Sequence, residues 1–172
     1  GKTFTITGLS LEDLSVEFPT PHELRGLLPR CFEYLFSAIS ESTEKTDQSF
    51  LVKCSFLEIY QEQVIDLLEP SSQQLQVRED MQRGVYVDGL NEQTVSNVMQ
   101  TYEILRTGAR NRHVGFTSMN KESSRSHAVF TLVIESKEVI EGLINFRSAK
   151  FHLIDLAGSE RVSMTGNEGI AL

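Results

Sequence analysis

The sequence predicts an α/β fold in which helices flank a mainly parallel central sheet. Two observations favour this class. Segments with strand patterns alternate along the chain with segments of helical spacing. The strand segment 128–134 is apolar at nearly every position and 151–156 follows a similar pattern, which is typical of strands covered on both faces. In such a sheet, ligands bind at the carboxyl ends of the strands.

A helix and a long loop are predicted in the first quarter of the chain. Pro29 suits the first turn of the helix. The predicted buried stripe recurs at helical spacing through Leu28, Phe32, Leu35, Phe36 and Ile39. The preceding segment 9–26 carries prolines, serines and acidic residues without apolar periodicity, which predicts a long surface loop.

A strand, a hairpin and a second helix are predicted in the middle of the chain. Apolar and polar residues alternate over 50–60, which indicates the strand. Gly84 separates strand segments at 75–78 and 85–87, which favours a hairpin. Ser96 is predicted to cap the helix, ahead of a polar segment at 111–127. The buried face of that helix is predicted to hold Met99, Tyr102, Leu105 and Ala109.

Length, charge and cysteine content restrict the class of protein. The 172 residues contain no internal repeat or low-complexity linker, which predicts one domain. The 16 basic and 24 acidic residues give a net charge of -8, which disfavours general nucleic-acid binding because phosphate contacts need clustered Lys and Arg. No apolar run approaches the roughly 18 residues of a membrane helix. Cys31 and Cys54 lack zinc-site spacing, so we expect buried, reduced thiols of a cytosolic protein.

Three short motifs contain residue types that bind nucleotides. Gly1, Lys2 and Thr3 match the end of the pattern G-x-x-x-x-G-K-[ST], whose loop amides cradle phosphate while its Thr hydroxyl binds magnesium. Three residues alone are weak evidence, and a merely solvated terminus explains them better. The segment 120–127 is rich in hydroxyls and holds one Arg. It could serve a metal and a carboxylate, or form an ordinary polar loop.

The third motif begins within the strand segment 151–156. Asp155 at the strand end could hold the outer shell of a magnesium ion, and Gly158 lets a backbone N–H approach a γ-phosphate closely. A plain exit from strand to turn would also explain both residues. In this order, however, the three motifs supply a phosphate grip, a magnesium cover and a γ-phosphate sensor, which are the parts of a nucleotide switch.

With these motifs the chain resembles the kinesin motor domain family. The segments 120–127 and 155–160 match that family's switch I, Asn-x-x-Ser-Ser-Arg-Ser-His, and switch II, Asp-Leu-Ala-Gly-Ser-Glu, without a mismatch. Myosins share the Ser-Ser-Arg core but not the residues that follow it. The similarity extends over 1–172, with details most like the mitotic kinesin-twelve class. It implies a three-layer P-loop NTPase fold, truncated at both ends, from the end of the phosphate loop through switch II.

The resemblance implies ATP and Mg²⁺ as cofactors and assigns five residues to them. Gly1 belongs to the phosphate loop, and Lys2 binds the β- and γ-phosphates. Thr3 and Ser124 contact the magnesium ion, with Asp155 in its outer shell. These assignments come from the family and are expectations for this chain.

Five further residues are expected to carry out hydrolysis. Gly158 senses the γ-phosphate, while Asn120 and Ser123 position the attacking water. Arg125 pairs with Glu160 when the two switch loops close around ATP. The resemblance therefore implies an ATPase whose closed state depends on one ion pair.

The function implied is an ATP-dependent microtubule motor, stimulated by microtubules and located in the cytoplasm, on the cytoskeleton and at the mitotic spindle. No nucleic-acid or membrane partner is expected, and the parent protein is expected to oligomerise through a coiled coil outside this sequence. Arg78 and Arg83 could contact tubulin or be solvated surface charges. Met164 replaces a Lys that is usual in a tubulin-facing loop. The 172 residues alone are expected to bind nucleotide weakly, because half the phosphate loop is absent.

Two other functions fit parts of the sequence. A catalytically silent kinesin-like scaffold that binds microtubules is the main alternative, and the intact switch residues argue against it. A P-loop GTPase or kinase unrelated to motility is the other. It is disfavoured because neither a guanine-binding Asn-Lys-x-Asp nor a kinase catalytic loop occurs.

Overall fold

The computed structural model describes residues 1–8, 24–71, 74–81, 84–119 and 125–158, with side chains at all of these positions except 113–119. The helices in this part of the chain are α1 (Lys2–Thr7), α2 (Leu27–Lys45) and α3 (Val98–Met119). The strands are β1 (Gln48–Tyr60), β2 (Gln63–Asp66), β3 (Gln76–Asp80), β4 (Gly84–Asp88), β5 (Gln93–Val95), β6 (His127–Ile140) and β7 (Leu143–Asp155).

Five strands form the main sheet, in the order β2-β1-β6-β7, with β5 also paired to β1. The register places Ile59, near the end of β1, opposite His127 at the start of β6. It also places Asp155, the last residue of β7, opposite Ala128. The carboxyl ends of β1 and β7 therefore lie beside the start of β6, at one end of these strands. The candidate site lies there.

The α/β class is confirmed, but the strand direction differs from the prediction. Every strand pair in the described residues is antiparallel, so a mainly parallel sheet is wrong for this part of the chain. The apolar run at 128–134 does indicate a strand covered on both faces, but such cover does not depend on the direction of the neighbouring strands. Direction follows from the connection. The two-residue turn at Glu141 and Gly142, with φ angles of 50° and 78°, joins antiparallel strands.

Helices α2 and α3 cover one face of the sheet. The ring of Phe32 on α2 is fully buried 5.2 Å from that of Phe130, which lies 5.3 Å from Phe56 of β1. Gly108 brings α3 close to β1, since a Cβ atom there would lie 2.1 Å from Phe56 Cδ1. The predicted stripe of α2 is confirmed, because Leu28 and Phe32 are buried and its other members pack against the same core. Sheet and helices account for two of the three predicted layers.

The second long helix, α3, begins and ends later than predicted. Its cap is Asn97, whose Oδ1 accepts a 3.0 Å hydrogen bond from the backbone N–H of Gln100. The side chain of Gln100 in turn accepts a 2.7 Å hydrogen bond from the N–H of Ser96, the residue that was expected to be the cap. Met99 is 49% exposed, whereas Tyr102 and Leu105 are buried as predicted.

The predicted polar segment 111–127 is helical over its first half, because α3 runs on to Met119. Polarity did not prevent this continuation, since two of the polar side chains have partners in the core. Asn111 Nδ2 donates a 2.7 Å hydrogen bond to the carbonyl oxygen of Leu67, and Arg112 forms a buried ion pair. A segment that looks like a loop by composition is thus held as a helix by tertiary contacts.

Strand β7 is less covered than its sequence suggests. Within 151–156, Leu153 and Asp155 are buried, but Phe151 and Ile154 are 42% and 45% exposed. Leu153 and Asp155 share one face because side chains alternate along a strand. β7 is the edge strand of the sheet as far as the structure describes it. The prediction of cover on both faces is therefore wrong for β7 within the described residues.

Most of the predicted long loop, residues 9–23, lies outside the described residues, but its flanks are joined. Gly8 and Arg25 form an antiparallel bridge, in which Gly8 has a φ of 90°. The Arg25 side chain pairs with Glu33 of α2, and Glu33 also accepts a 2.8 Å hydrogen bond from Tyr102 of α3. Burial, followed by this hydrogen bond, raises the pKa of Tyr102. Both flanks are thus fixed to the helical layer.

The predicted hairpin is confirmed, since β3 and β4 pair antiparallel in a separate two-stranded sheet.

Cys31 and Cys54 are both free thiols, with Cys54 buried and Cys31 partly exposed. Among the described helices, none combines the length and apolarity needed to cross a membrane.

Candidate functional site

The site is built where the start of α1 meets the carboxyl end of β7. Thr3 Oγ1 donates a 2.6 Å hydrogen bond to Asp155 Oδ2, across 152 positions of sequence. A hydroxyl bound this closely to a carboxylate is a strong, charge-assisted contact. Lys2 Nζ donates a 3.0 Å hydrogen bond to the carbonyl oxygen of Ala157, just beyond β7. The fold therefore brings the first and third sequence motifs together.

Asp155 is the most constrained acid of the site. Its side chain is buried, and Oδ2 receives the Thr3 hydroxyl and lies 3.6 Å from Arg112 Nη1. Oδ1 is also buried but has no hydrogen-bond partner among the described residues. Buried oxygens without partners are rare in folded proteins, and at a binding site they commonly await a water, an ion or a ligand. One oxygen of Asp155 is thus available to a bound group.

This arrangement fits the magnesium ion that the sequence implies. Mg²⁺ prefers oxygen ligands and usually keeps several waters, so it needs only one or two carboxylates and hydroxyls beside the phosphates. Thr3 offers a hydroxyl, and Asp155 offers the unpartnered Oδ1. The described residues contain no cluster of three or more His, Cys, Asp or Glu side chains suited to a metal. A site of this sparse kind suits Mg²⁺ bound together with a nucleotide.

Two buried charged residues of the site were missed by the sequence analysis. Arg112 on α3 is 8% exposed, and its Nε donates a 3.2 Å hydrogen bond to Oε1 of Glu58, which is 2% exposed. Arg112 Nη2 donates to Ser126, at 3.0 Å to Oγ and 3.4 Å to the carbonyl oxygen. One guanidinium therefore joins β1, the residue before β6 and the end of β7.

A sequence signal for Glu58 did exist. Side chains alternate along β1, so Glu58 lies on the same face as Cys54 and Phe56, which both point into the core. An acid at an inward position needs a charged or hydrogen-bonding partner, because an isolated buried carboxylate is very costly. The pattern could have shown that a partner is required. It could not have shown that the partner is Arg112.

His127 provides another link between the second and third motifs. Its Nδ1 accepts a 3.1 Å hydrogen bond from the backbone N–H of Ala157. The start of β6 is thereby tied to the segment that leaves β7 toward Gly158. Gly158 itself is partly exposed, which leaves its backbone within reach of a ligand.

The structure describes six of the ten predicted site residues. Gly1 caps α1 and is exposed together with Lys2 and Thr3. Arg125 is exposed next to the buried Ser126. Four predicted residues lie outside the described residues, namely Asn120, Ser123, Ser124 and Glu160. The structure thus brings Lys2, Thr3 and Asp155 together, and the expected pair between Arg125 and Glu160 stays a prediction.

Comparison with known proteins agrees with this architecture. A sequence model of the kinesin motor domain matches residues 1–172. The human kinesin-like protein KIF15 is 51% identical over 174 aligned residues, which cover 100% of this chain and 12% of the relative. The Arabidopsis thaliana kinesin-like protein KIN-12D is 49% identical over 98% of this chain and 6% of its own length. The expected similarity to the kinesin-twelve class is confirmed.

A solved structure shows the same fold. It is described as the structure of a fast kinesin, with implications for ATPase mechanism and interactions with microtubules. It superposes with a TM-score of 0.84 at 41% identity, over 98% of this chain and 44% of the other chain. The chain therefore spans less than half of this neighbour and about an eighth of the human relative.

Proposed function

The chain belongs to the kinesin motor domain family, and on that premise we propose that it forms part of the catalytic site of an ATP-hydrolysing microtubule motor. Residues 1–172 would supply the end of the phosphate loop and both switch segments of that motor domain. The observation that carries the proposal is the Thr3 to Asp155 hydrogen bond beside Asp155 Oδ1, which has no partner among the described residues. It joins a phosphate-loop hydroxyl to a strand-end carboxylate, as a site for magnesium and nucleotide requires.

Nucleotide binding is assigned to the α1 side of the site. Lys2 would exchange its contact with the Ala157 carbonyl for the β- and γ-phosphates, where its charge is better matched. Thr3 and Ser124 would hold the magnesium ion, with Asp155 bonded to its water shell. When bound, Mg²⁺ supplies charge neutralisation of the phosphates. Gly1 would contribute its place in the loop that surrounds the phosphates.

Hydrolysis is assigned to the two switch segments. The backbone N–H of Gly158 would bond the γ-phosphate, because a glycine permits close approach. Asn120 and Ser123 would orient the attacking water. Arg125 and Glu160 would pair as the segments close, which excludes bulk water and holds those groups in place. Loss of the γ-phosphate would release the pair and return the segments to the open state.

The partner surface is assigned less closely. Arg78 on the β3–β4 hairpin lies 2.9 Å from Asp88, and the hairpin strands are largely exposed. Arg78 would contact acidic tubulin from this hairpin, and Arg83, which lies outside the described residues, would contact it as well. The protein would act in the cytoplasm on microtubules, including the spindle, and the parent chain would assemble through a coiled coil. The Asp88 contact means that tubulin must compete with an existing ion pair for Arg78.

Two substitutions in the full-length protein test the assignment of the switch pair. Arg125→Ala and Glu160→Ala should retain ATP binding but lose most hydrolysis, because the pair would lose its water as the switch segments close, and removing half of a desolvated ion pair costs about 3–5 kcal/mol. Steady-state turnover and nucleotide affinity are measured together. Arg147→Ala is the matched control, because it removes an exposed Arg near the start of β7, at the opposite end of that strand from Asp155. It should leave turnover and nucleotide affinity unchanged. Turnover near wild type in either switch variant would overturn the assignment.

A further inference from the structure

We propose that Arg112 is a positioning residue for Asp155 and that it couples the two switch segments to each other. The inference rests on the proposed nucleotide site. It is carried by the three separate contacts of one buried guanidinium, made with Glu58, Ser126 and Asp155. Arg112 itself would touch neither nucleotide nor metal.

The Arg112 guanidinium is anchored by Glu58 more closely than by Asp155. Nε lies 3.2 Å from Glu58 Oε1, whereas Nη1 lies 3.6 Å from Asp155 Oδ2. The contact with Glu58 is a hydrogen bond, but the contact with Asp155 is longer than one and acts through charge. Glu58 is 2% exposed and lies on the central strand β1, so it provides a fixed anchor. Arg112 therefore holds a positive charge beside Asp155 Oδ2 and leaves Oδ1, which has no partner in the described part of the chain, unoccupied.

The two carboxylate oxygens of Asp155 have different surroundings. Oδ2 is taken by the Thr3 hydroxyl and faces Arg112, while Oδ1 has no partner among the described residues. Two groups on one oxygen fix the orientation of the carboxylate and leave the other oxygen for a ligand. An Arg bonded to both oxygens would occupy the position that a magnesium water needs. The observed geometry instead orients the carboxylate toward that role.

Ser126 links Arg112 to the first switch segment. It is fully buried, and both its hydroxyl and its carbonyl oxygen accept hydrogen bonds from Arg112 Nη2. Ser126 directly follows Arg125, so Arg112 fixes the point where the first switch segment joins β6. The same guanidinium faces Asp155, where the second switch segment begins. A displacement of either switch segment would therefore move the Arg112 guanidinium and, through it, the other switch segment.

The test uses the full-length protein with Arg112→Lys, which keeps the charge but loses the planar fork. We measure kcat, KM for ATP, thermal unfolding, and the affinity for a fluorescent ADP analogue in Mg²⁺ and in EDTA. Substituting a residue that orients a metal ligand typically lowers metal affinity or activity by about 10–100-fold. We therefore expect kcat to fall at least about tenfold, and the gain in ADP affinity from Mg²⁺ to shrink about tenfold. Arg110→Lys, an exposed position on the same helix, should change neither.

The outcomes separate the inference from the proposed function. If the wild type hydrolyses no ATP, the proposed function fails and the inference fails with it. If the wild type is active and Arg112→Lys keeps its kcat and its Mg²⁺-dependent affinity, only the inference is overturned. A loss of thermal stability with an unchanged Mg²⁺ effect would show a purely structural ion pair, which also overturns it.

A second variant decides the matter if Arg112→Lys does not fold. Ser126→Ala removes a single hydroxyl and leaves the Arg112 to Glu58 pair intact. It should lower kcat several-fold and reduce the Mg²⁺-dependent gain in ADP affinity in the same direction, because Nη2 loses its shorter contact of 3.0 Å. Unchanged values for a folded Ser126→Ala protein would overturn the coupling.

Discussion

Gly108→Ala should destabilise the protein, although the same change at an exposed helical position stabilises. Gly108 lies in the interior of α3, where replacing Gly by Ala normally gains about 1 kcal/mol of helix propensity. Here, however, the new Cβ would lie 2.1 Å from Cδ1 and 2.7 Å from Cε1 of Phe56. Both distances are far below ordinary contact, so either the ring or the helix must move.

The ring has little freedom to move. Phe56 is 5% exposed and packs edge-on against Phe130, which in turn contacts Phe32. Inserting a methyl group into such a core costs about 1–3 kcal/mol, and occasionally more. Because the overlap is severe, we take the upper part of that range and subtract the helix gain. The net expectation is a loss of about 1–2 kcal/mol in the free energy of unfolding.

Urea unfolding followed by circular dichroism measures this difference in the full-length protein. Thr107→Ala, at the neighbouring exposed position, carries only the propensity term and should be neutral or slightly stabilising. Gly108→Ala combined with Phe56→Leu should cost less than the sum of the two single changes, since a smaller side chain relieves the overlap. A Gly108→Ala protein as stable as the wild type, or more stable, would refute the described approach of α3 to β1.

Two further predictions concern the site and the thiols. Thr3→Val should weaken Mg²⁺-dependent nucleotide binding and Thr3→Ser should retain it, because only Ser preserves a hydroxyl that can donate to Asp155. Nucleotide affinity is measured by fluorescence titration, and equal affinities of the two variants would argue against a role for that hydroxyl. Burial raises the pKa of the Cys54 thiol to about 12 and also raises that of Cys31. In the folded protein, thiol reagents should therefore modify the partly exposed Cys31, and the rate should increase as the pH rises. Cys54 should react only after the protein unfolds. Labelling of Cys54 in the folded protein, detected by mass spectrometry, would contradict its burial.

Local patterns predicted those parts of the fold that depend on neighbours in sequence. The stripe of α2 around Phe32 and the hairpin around Gly84 follow from spacing and turn chemistry, and both are present. The direction of the strands was mispredicted, because burial on both faces occurs in parallel and antiparallel sheets alike. The extent of α3 was mispredicted because Asn111 and Arg112, which look like loop residues by composition, have partners in the core.

The candidate site was predictable only where a motif marks it. Lys2, Thr3 and Asp155 belong to recognisable motifs. In the structure, Thr3 donates a hydrogen bond to Asp155, and Lys2 donates one to the backbone just beyond Asp155. Glu58 and Arg112 are separated by 54 positions and lie outside the three nucleotide-binding motifs, so their pairing emerges only when α3 packs on the sheet. Pairing of this kind depends on tertiary geometry, which a single sequence does not encode in any local window.

The central claim is that this chain forms part of the catalytic site of a microtubule motor. The most direct measurement is the steady-state ATP turnover of the full-length protein, with and without microtubules and in Mg²⁺ or EDTA. We expect slow turnover in Mg²⁺ alone, a large increase when microtubules are added, and none in EDTA. ATP turnover that microtubules do not change, or microtubule binding without any turnover, would contradict the account.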